Sequence, residues 1–357
     1  MKRFLRVFKN TTVKIFSFVL FIAFVASIFI FKDFYLSQWH KTLSFYYVYL
    51  GDNYYKKHKP QKAINSYVKA LNLYPKHYRA QYNLANLYVV YEDYYSALDA
   101  YSKALSLRPD FTVARIDYAI VLSEATFNYD RAIEEYNLAI EKIPKWVYIP
   151  FIVDNKHSYK HNKGVAYYNQ GLAWRGKSLL NGEDLFLSRR FLENAVDSYE
   201  KALKSLKTYD VYYNLAIAHH LLKNPEHAGY YYCKAIEKEP MKYEAHYNLA
   251  ILLKGMKRYA DSIEEFKKAG LILDTKGNSN KTRYIYDVLN EVNQKYTVSE
   301  EYENLRERLD EEEEKAGKKE VTYVKGKMLV VDEFDGAMIK NFKTCANKQY
   351  FEAGIKD

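Results

Sequence analysis

Hydrophobic, small and aromatic residues return at fixed places along the middle of this 357-residue chain. The first full set runs from Tyr47 to Pro75, and the same types follow in the same order about 34 residues later. The two sets are Tyr47, Leu50, Gly51, Tyr54, Ala63, Tyr67, Ala70 and Pro75, then Leu84, Ala85, Tyr88, Ala97, Tyr101, Ala104 and Pro109. Each set predicts a pair of helices, because small residues let two helices approach closely and proline ends the second one.

The order of residue types in each set resembles that of the tetratricopeptide repeat, a helix-turn-helix unit. Leucine-glycine, alanine and proline stand at the family's places, with tyrosine at most of its aromatic places. The resemblance covers residues 44–274, as repeats one to three (44–144) and four to six (164–274). It implies an all-α fold in which helix pairs stack into a superhelix, or solenoid. Repeat three has one extra residue, which we assign to the turn at residues 126–130.

Two irregularities interrupt the register. Residues 145–163 form an insertion that either packs on the edge of the solenoid or makes a loop that a partner meets. In repeat four, Ala195, Tyr199 and Ala202 come about twelve residues late for a unit of this kind. Longer helices or a projecting hairpin would both accommodate that excess.

The two ends of the chain differ from the repeats. A basic tail (1–14) precedes an uncharged apolar run (15–31), which predicts a transmembrane helix followed by a short linker (32–43). A cleaved signal peptide is the alternative, but cleavage after Val25-Ala26-Ser27 would leave an apolar new N-terminus, which favours an uncleaved anchor. Capping and charged helices are predicted over 275–320, the first with Ile285, Val288, Leu289 and Val292 on one face, and a short mixed tail with a small hairpin over 321–357.

The distribution of charge predicts the orientation in the membrane. Five basic residues precede the apolar run and account for half of the formal net charge of +10. The positive-inside rule therefore places the N-terminus in the cytoplasm and the repeats outside it, which in a bacterium means the periplasm. The remaining charge is ordinary for a chain of this length, so we expect no nucleic acid partner.

No motif for catalysis or for a cofactor is present: the chain has no phosphate-binding glycine loop, no G-x-S-x-G and no H-E-x-x-H. We therefore predict no enzyme activity, no cofactor and no metal. His157 and His161 have the spacing of a metal pair but lack a third ligand, which favours solvated loop histidines. Cys233 is interpreted as a small buried thiol, and a disulfide to Cys345 has no support in the sequence.

The resemblance does imply a binding surface. In this family the first helices of successive repeats line a concave groove, where an asparagine can hold a peptide backbone through its amide. The candidate groove residues are Tyr82, Asn83, Asn86, Tyr213, Asn214, Tyr247 and Asn248. The alternative is that Tyr-Asn-Leu-Ala is merely a common way to build this helix. The clamp that relatives use for a terminal carboxylate is not matched, because Val48 and Asp52 stand at its lysine and asparagine places.

These observations predict a membrane-anchored scaffold or adaptor that binds a peptide or protein partner in the groove. Three alternatives remain open. One is a non-catalytic structural subunit of an assembly or secretion complex of the cell envelope, and another is an enzyme or enzyme subunit whose activity lies in the insertion or the tail. The third is a eukaryotic outer-membrane receptor, which the charge bias disfavours because its repeats would face the cytosol.

Overall fold

The computed structural model describes residues 14–22, 30–143, 155–275 and 279–293, and they are helical almost throughout. The helices are α1 (residues 14–22), α2 (Lys32–Lys56), α3 (Pro60–Leu73), α4 (Tyr78–Val90), α5 (Tyr94–Leu107), α6 (Thr112–Glu124), α7 (Tyr129–Lys142), α8 (Asn155–Leu180), α9 (Leu185–Leu203), α10 (Tyr209–Leu221), α11 (Pro225–Lys238), α12 (Tyr243–Gly255), α13 (Tyr259–Thr275) and α14 (Ser279–Asn293). The described residues contain no strand, so they confirm the predicted all-α class.

The chain divides into two compact units, residues 1–121 and 122–357, with the division inside α6. In the N-terminal unit, α2 packs on α3, α3 on α4, and α4 on α5. In the C-terminal unit, each helix from α7 to α14 packs on the next. This sequential packing is what a chain of helix pairs requires, because each repeat buries its apolar face against its neighbours.

Close helix contacts explain the small residues of the pattern. A Cβ atom added at Gly51 on α2 would lie 2.4 Å from the ring of Tyr67 on α3. The same relation holds between Gly171 and Tyr199, at 2.5 Å. The alanines of the pattern are fully buried where these helices meet, namely Ala63, Ala85, Ala97, Ala119 and Ala132. A larger side chain at such a position would push the two helices apart.

Five of the turns inside the repeats, all except that of repeat four, share one backbone feature. Each of the five has a residue with positive φ at the same place, namely His58, Glu92, Phe127, Lys223 and Lys257. Phe127 keeps the spacing to Ala132 that Glu92 keeps to Ala97. The Asn128 N–H group donates to the carbonyl of Leu122, one residue farther back than in the preceding turn. The extra residue of repeat three therefore lies just before Phe127, at the start of the predicted turn.

Repeat four accommodates its excess residues with longer helices. Helix α8 has 26 residues and α9 has 19, whereas α10 and α12 have 13 each. The side chain of Asp184 caps α9 by accepting from the Leu187 N–H group at 2.9 Å. Of the insertion, residues 155–163 belong to α8, and the rest lies outside the described residues.

The helix predicted to cap the repeats is present as α14. Ile285, Leu289 and Val292 are fully buried, and they pack with residues of α12 and α13, while Val288 is half-buried at the same cluster. An apolar face of this kind covers the open end of a stack of repeats. The predicted charged helix and the hairpin lie outside the described residues.

Two sequence-based interpretations are corrected. Residues 32–43 do not form a separate linker, because α2 begins at Lys32 and continues without a break into the first repeat. Cys233 is disulfide-bonded, not a free thiol; Cys345, the other cysteine, lies outside the described residues. The predicted membrane segment, residues 15–31, is described only in part. Within the described residues, no helix combines the length and apolarity that crossing a membrane requires.

Candidate functional site

A cavity of about 210 Å³ opens in the N-terminal unit, between the first helices of repeats one and two. Its lining comes from α2, α3 and α4, and consists of Asp52, Tyr55, Lys56, Tyr67, Asn83, Asn86 and Leu87. Two of the candidate groove residues, Asn83 and Asn86, are therefore on one cavity. Polar groups converging on a concave surface are what a binding site requires.

Asp52 is the centre of the polar network in this cavity. Its Oδ1 atom accepts a hydrogen bond from the Tyr67 hydroxyl at 2.7 Å and another from Asn83 Nδ2 at 2.8 Å. The glycine next to it makes the first bond possible, because the absence of a Cβ at Gly51 lets the Tyr67 ring lie against α2. Gly51, which the repeat pattern predicts for close helix packing, thus also allows the Tyr67 hydroxyl to reach Asp52.

Electrostatics keep Tyr67 in the donor role. Burial raises the pKa of Tyr67 far above its usual range, and the hydrogen bond with the Asp52 carboxylate raises it further. The hydroxyl therefore stays protonated at any physiological pH. Asp52 Oδ2 has no hydrogen-bond partner within the described part of the chain. Lys56 lines the same cavity, is exposed, and forms no ion pair with Asp52.

The second repeat carries a related pair of contacts. The Tyr101 hydroxyl donates to Asn86 Oδ1, and the Tyr82 hydroxyl donates to Asp117 Oδ2 at 2.8 Å. Burial raises the pKa of the Asp117 carboxyl above its usual value, and burial likewise raises the pKa of Tyr82. Tyr82, a predicted groove residue, therefore uses its hydroxyl to join α4 to α6.

In the C-terminal unit, Asn214 is nearly buried, with 8% of its surface exposed. Its Nδ2 atom donates to the Tyr168 hydroxyl at 3.0 Å and to the Asp210 carbonyl at 2.8 Å. Its Oδ1 atom accepts from the Arg175 guanidinium. Both ends of the amide are therefore satisfied by the protein itself.

Asn248 is still more enclosed, with no exposed surface. Its Nδ2 atom donates to the Tyr213 hydroxyl at 2.9 Å, while its buried Oδ1 atom has no hydrogen-bond partner. Tyr247 is also buried and packs edge-on against Phe266, with 5.5 Å between ring centroids. In this unit Asn214, Tyr247 and Asn248 are buried in the interior of the repeats, and Tyr213, the remaining predicted groove residue, is half-buried.

The sequence did not single out two residues of the cavity, Asp52 and Tyr67, as binding groups. The pattern marks Asp52 only as a departure from the family's carboxylate clamp, and Tyr67 only as an aromatic residue of the repeat. A signal was present, because the acid at position 52 and the amide at position 83 are about one repeat apart on successive first helices. Within the described residues, no group of three or more metal-ligating side chains is present; the side chain of His157 lies outside them.

Comparison with known families settles what the repeats are. Profiles described as the tetratricopeptide repeat match residues 44–77, 78–111, 209–240 and 243–269. These four segments of the chain are tetratricopeptide repeats. Tetratricopeptide repeats generally serve as scaffolds for protein–protein interaction, and the repeats of this chain are a scaffold of that kind. No curated protein matches the sequence.

Several solved structures are similar to this tetratricopeptide repeat protein. A tetratricopeptide repeat protein from Parabacteroides merdae is 15% identical, with 75% of this chain and 98% of that chain covered and a TM-score of 0.49. Pseudomonas aeruginosa pilF is 16% identical, with 75% and 99% covered and a TM-score of 0.46. MamA from Desulfovibrio magneticus RS-1 is 17% identical, with 55% and 95% covered and a TM-score of 0.44. Similarity at this level says nothing about what this chain binds.

Proposed function

We propose that this protein is a membrane-anchored adaptor that holds an extended segment of a protein partner on the first helices of its N-terminal unit. The observation that carries the proposal is the cavity formed by α2, α3 and α4, which contains Asn83, Asn86 and the partly unsatisfied carboxylate of Asp52. An extended peptide offers N–H and C=O groups at regular intervals, and amide and carboxylate side chains can pair with both.

The membrane part of the proposal is supported by the N-terminal sequence. Residues 15–31 are uncharged and follow a basic tail, and the described apolar residues of α1 are exposed. At the start of α2, Phe34 and Trp39 are 58% and 63% exposed. Aromatic side chains at this distance from an apolar segment are typical of the membrane interface. Because α2 is continuous from Lys32 to Lys56, it would hold the cavity at a fixed distance from that interface.

The positive-inside rule directs the repeats to the outside of the cytoplasmic membrane, which in a bacterium is the periplasm. The disulfide at Cys233 supports this location, because disulfides persist in oxidising compartments. Anchoring near the bilayer would raise the effective concentration of a bound partner there. The adaptor would thus act by keeping one protein close to the membrane.

The binding proposal is tested by capture from detergent-solubilised membranes, followed by mass spectrometry. The full chain is compared with Asn83→Ala and with Asn65→Ala, which removes an exposed amide on α3 away from the cavity. We expect a set of partners that the wild type and Asn65→Ala retain and Asn83→Ala loses. If Asn83→Ala retains every partner, the cavity is not the binding surface.

The location is tested separately by fractionation. We expect the full chain to stay in the membrane fraction after alkaline carbonate extraction, and added protease to digest the repeats in spheroplasts with an intact inner membrane. Release by carbonate, or protection until the cells are lysed, would contradict the anchor or its orientation.

A further inference from the structure

One oxygen of the Asp52 carboxylate remains for a ligand. Oδ1 accepts both internal hydrogen bonds, from Tyr67 and from Asn83, and Oδ2 accepts none within the described residues. Asp52 is half-buried at the cavity, so this oxygen is partly removed from bulk water. A carboxylate in that position is stabilised by any ligand that donates a hydrogen bond to it.

The amide of Asn83 provides a second acceptor beside it. A carboxylate can only accept hydrogen bonds, so the NH2 group of Asn83 must be the end that faces Asp52. The Asn83 carbonyl oxygen is then the free end of the amide, and it has no hydrogen-bond partner among the described residues. Two acceptors, one of them charged, therefore stand together at the cavity.

Two adjacent acceptors select for a ligand group with several N–H donors and a positive charge. An ammonium or a guanidinium group meets both conditions, whereas a carboxylate or phosphate would face Asp52 with the same sign of charge. The cavity volume of about 210 Å³ holds several times the roughly 30 Å³ of one water molecule, which is room for the end of a long side chain.

Resting on the proposed function, we infer that this cavity binds the charged end of a lysine or arginine side chain of the partner, with Asp52 as its counter-charge. Asn83 orients the carboxylate and supplies the second acceptor. Lys56, exposed in the cavity lining, opposes this ligand by charge, so its removal should strengthen binding. Removing the charge of Asp52 should therefore weaken the binding of a cationic side chain, and removing the charge of Lys56 should strengthen it.

The probe is a library of capped ten-residue peptides in which one position is fixed as arginine, citrulline, norleucine or glutamate. Citrulline has the shape of arginine without its charge. The library is applied to the full chain in detergent, together with Asp52→Asn and Lys56→Gln. We expect the wild type to prefer arginine over citrulline by about tenfold, as one charge-assisted hydrogen bond gives.

In the same library, Asp52→Asn should reduce that ratio to about one while neutral peptides still bind, and Lys56→Gln should raise it. A ratio that is unchanged in both variants, or a preference for glutamate, overturns the inference and leaves peptide binding in place. If the wild type binds no peptide of any charge, the proposed function fails together with it. Thermal unfolding checks that Asp52→Asn is folded, and Lys56→Gln tests the inference independently because it alters only an exposed side chain.

Discussion

Asn83 in the N-terminal unit and Asn248 in the C-terminal unit occupy the same place in their repeats but lie in different surroundings. Asn83 is half-buried beside a cavity and donates to a carboxylate, whereas Asn248 is fully buried and donates to the Tyr213 hydroxyl. The difference arises one repeat earlier in the chain. The position that corresponds to Tyr213 is occupied by Val48, which has no hydroxyl to offer Asn83. Asn83 donates instead to the carboxylate of Asp52.

The C-terminal unit shows the reverse combination. Tyr213 supplies the hydroxyl, and the residue at the place of Asp52 is Ile217, which has no acceptor. Asn214 follows the same rule, because it donates to Tyr168 and the corresponding place holds Leu172. An asparagine at this place is thus part of the interior when its partner in the preceding repeat is a tyrosine hydroxyl. It lines a cavity when its partner in the preceding repeat is a carboxylate.

The largest expected difference between the units is in acid stability. His219 in α10 stacks against His227 and Tyr231, and neither of its ring nitrogens has a hydrogen-bond partner. Burial lowers the pKa of His219 to about 4 and that of His220 to about 3. The unfolded chain binds these protons near pH 6.5, so it takes up more protons than the folded chain below that pH, and stability falls.

We therefore expect His219 alone to cost the C-terminal unit about 3 kcal/mol between pH 6.5 and pH 4. Hydrogen exchange measured by mass spectrometry at stepped pH should show α10 and α11 losing protection before α3 and α4. In His219→Tyr, which has the residue found at this place in repeats one and two, the acid loss should be smaller. An equal loss in that variant would show that His219 is not the cause.

The second prediction compares the two asparagines by stability. Asn248→Ala removes a buried hydrogen bond and leaves a void, so we expect a loss of about 2 kcal/mol in the free energy of unfolding. Urea denaturation followed by hydrogen exchange in α10 and α12 measures it. No measurable loss would mean that the Tyr213 bond contributes nothing to the interior of this unit.

The third prediction concerns the hydroxyl partners. Tyr213→Phe leaves the amide of Asn248 buried without a partner, and we expect a cost of about 1–2 kcal/mol. Tyr82→Phe should cost less, about 0.5–1 kcal/mol, because Asp117 is only half-buried and water can replace the hydroxyl. Urea denaturation of both variants gives the two losses in the free energy of unfolding. A larger loss in Tyr82→Phe than in Tyr213→Phe would contradict the difference between the units.

The smallest expected change in stability is that of Asn83→Ala. Water can reach Asp52 after the amide is removed, so the cost should be at most about 1 kcal/mol. Its effect on binding should be larger than its effect on stability. A loss as large as that of Asn248→Ala would place Asn83 among the structural asparagines.

The repeats could be predicted from the sequence because small residues, tyrosines and prolines keep a fixed spacing, and the close contact of Gly51 with Tyr67 gives the physical reason. The lengths of helices α8 and α9 could not be predicted from the sequence, because a longer helix and a projecting hairpin would bury similar residues. The roles of the asparagines also could not be separated. Those roles depend on residues one repeat away, Val48 and Tyr213, which a local Tyr-Asn-Leu-Ala motif does not contain.

Hydrogen exchange of the full chain with and without a captured partner tests most directly the claim that binding belongs to the N-terminal unit. We predict that the partner slows exchange in α2 and α4, around residues 52–56 and 83–87, and leaves α10 and α12 unchanged. Slower exchange confined to α10 and α12, with no change around Asp52, would contradict it.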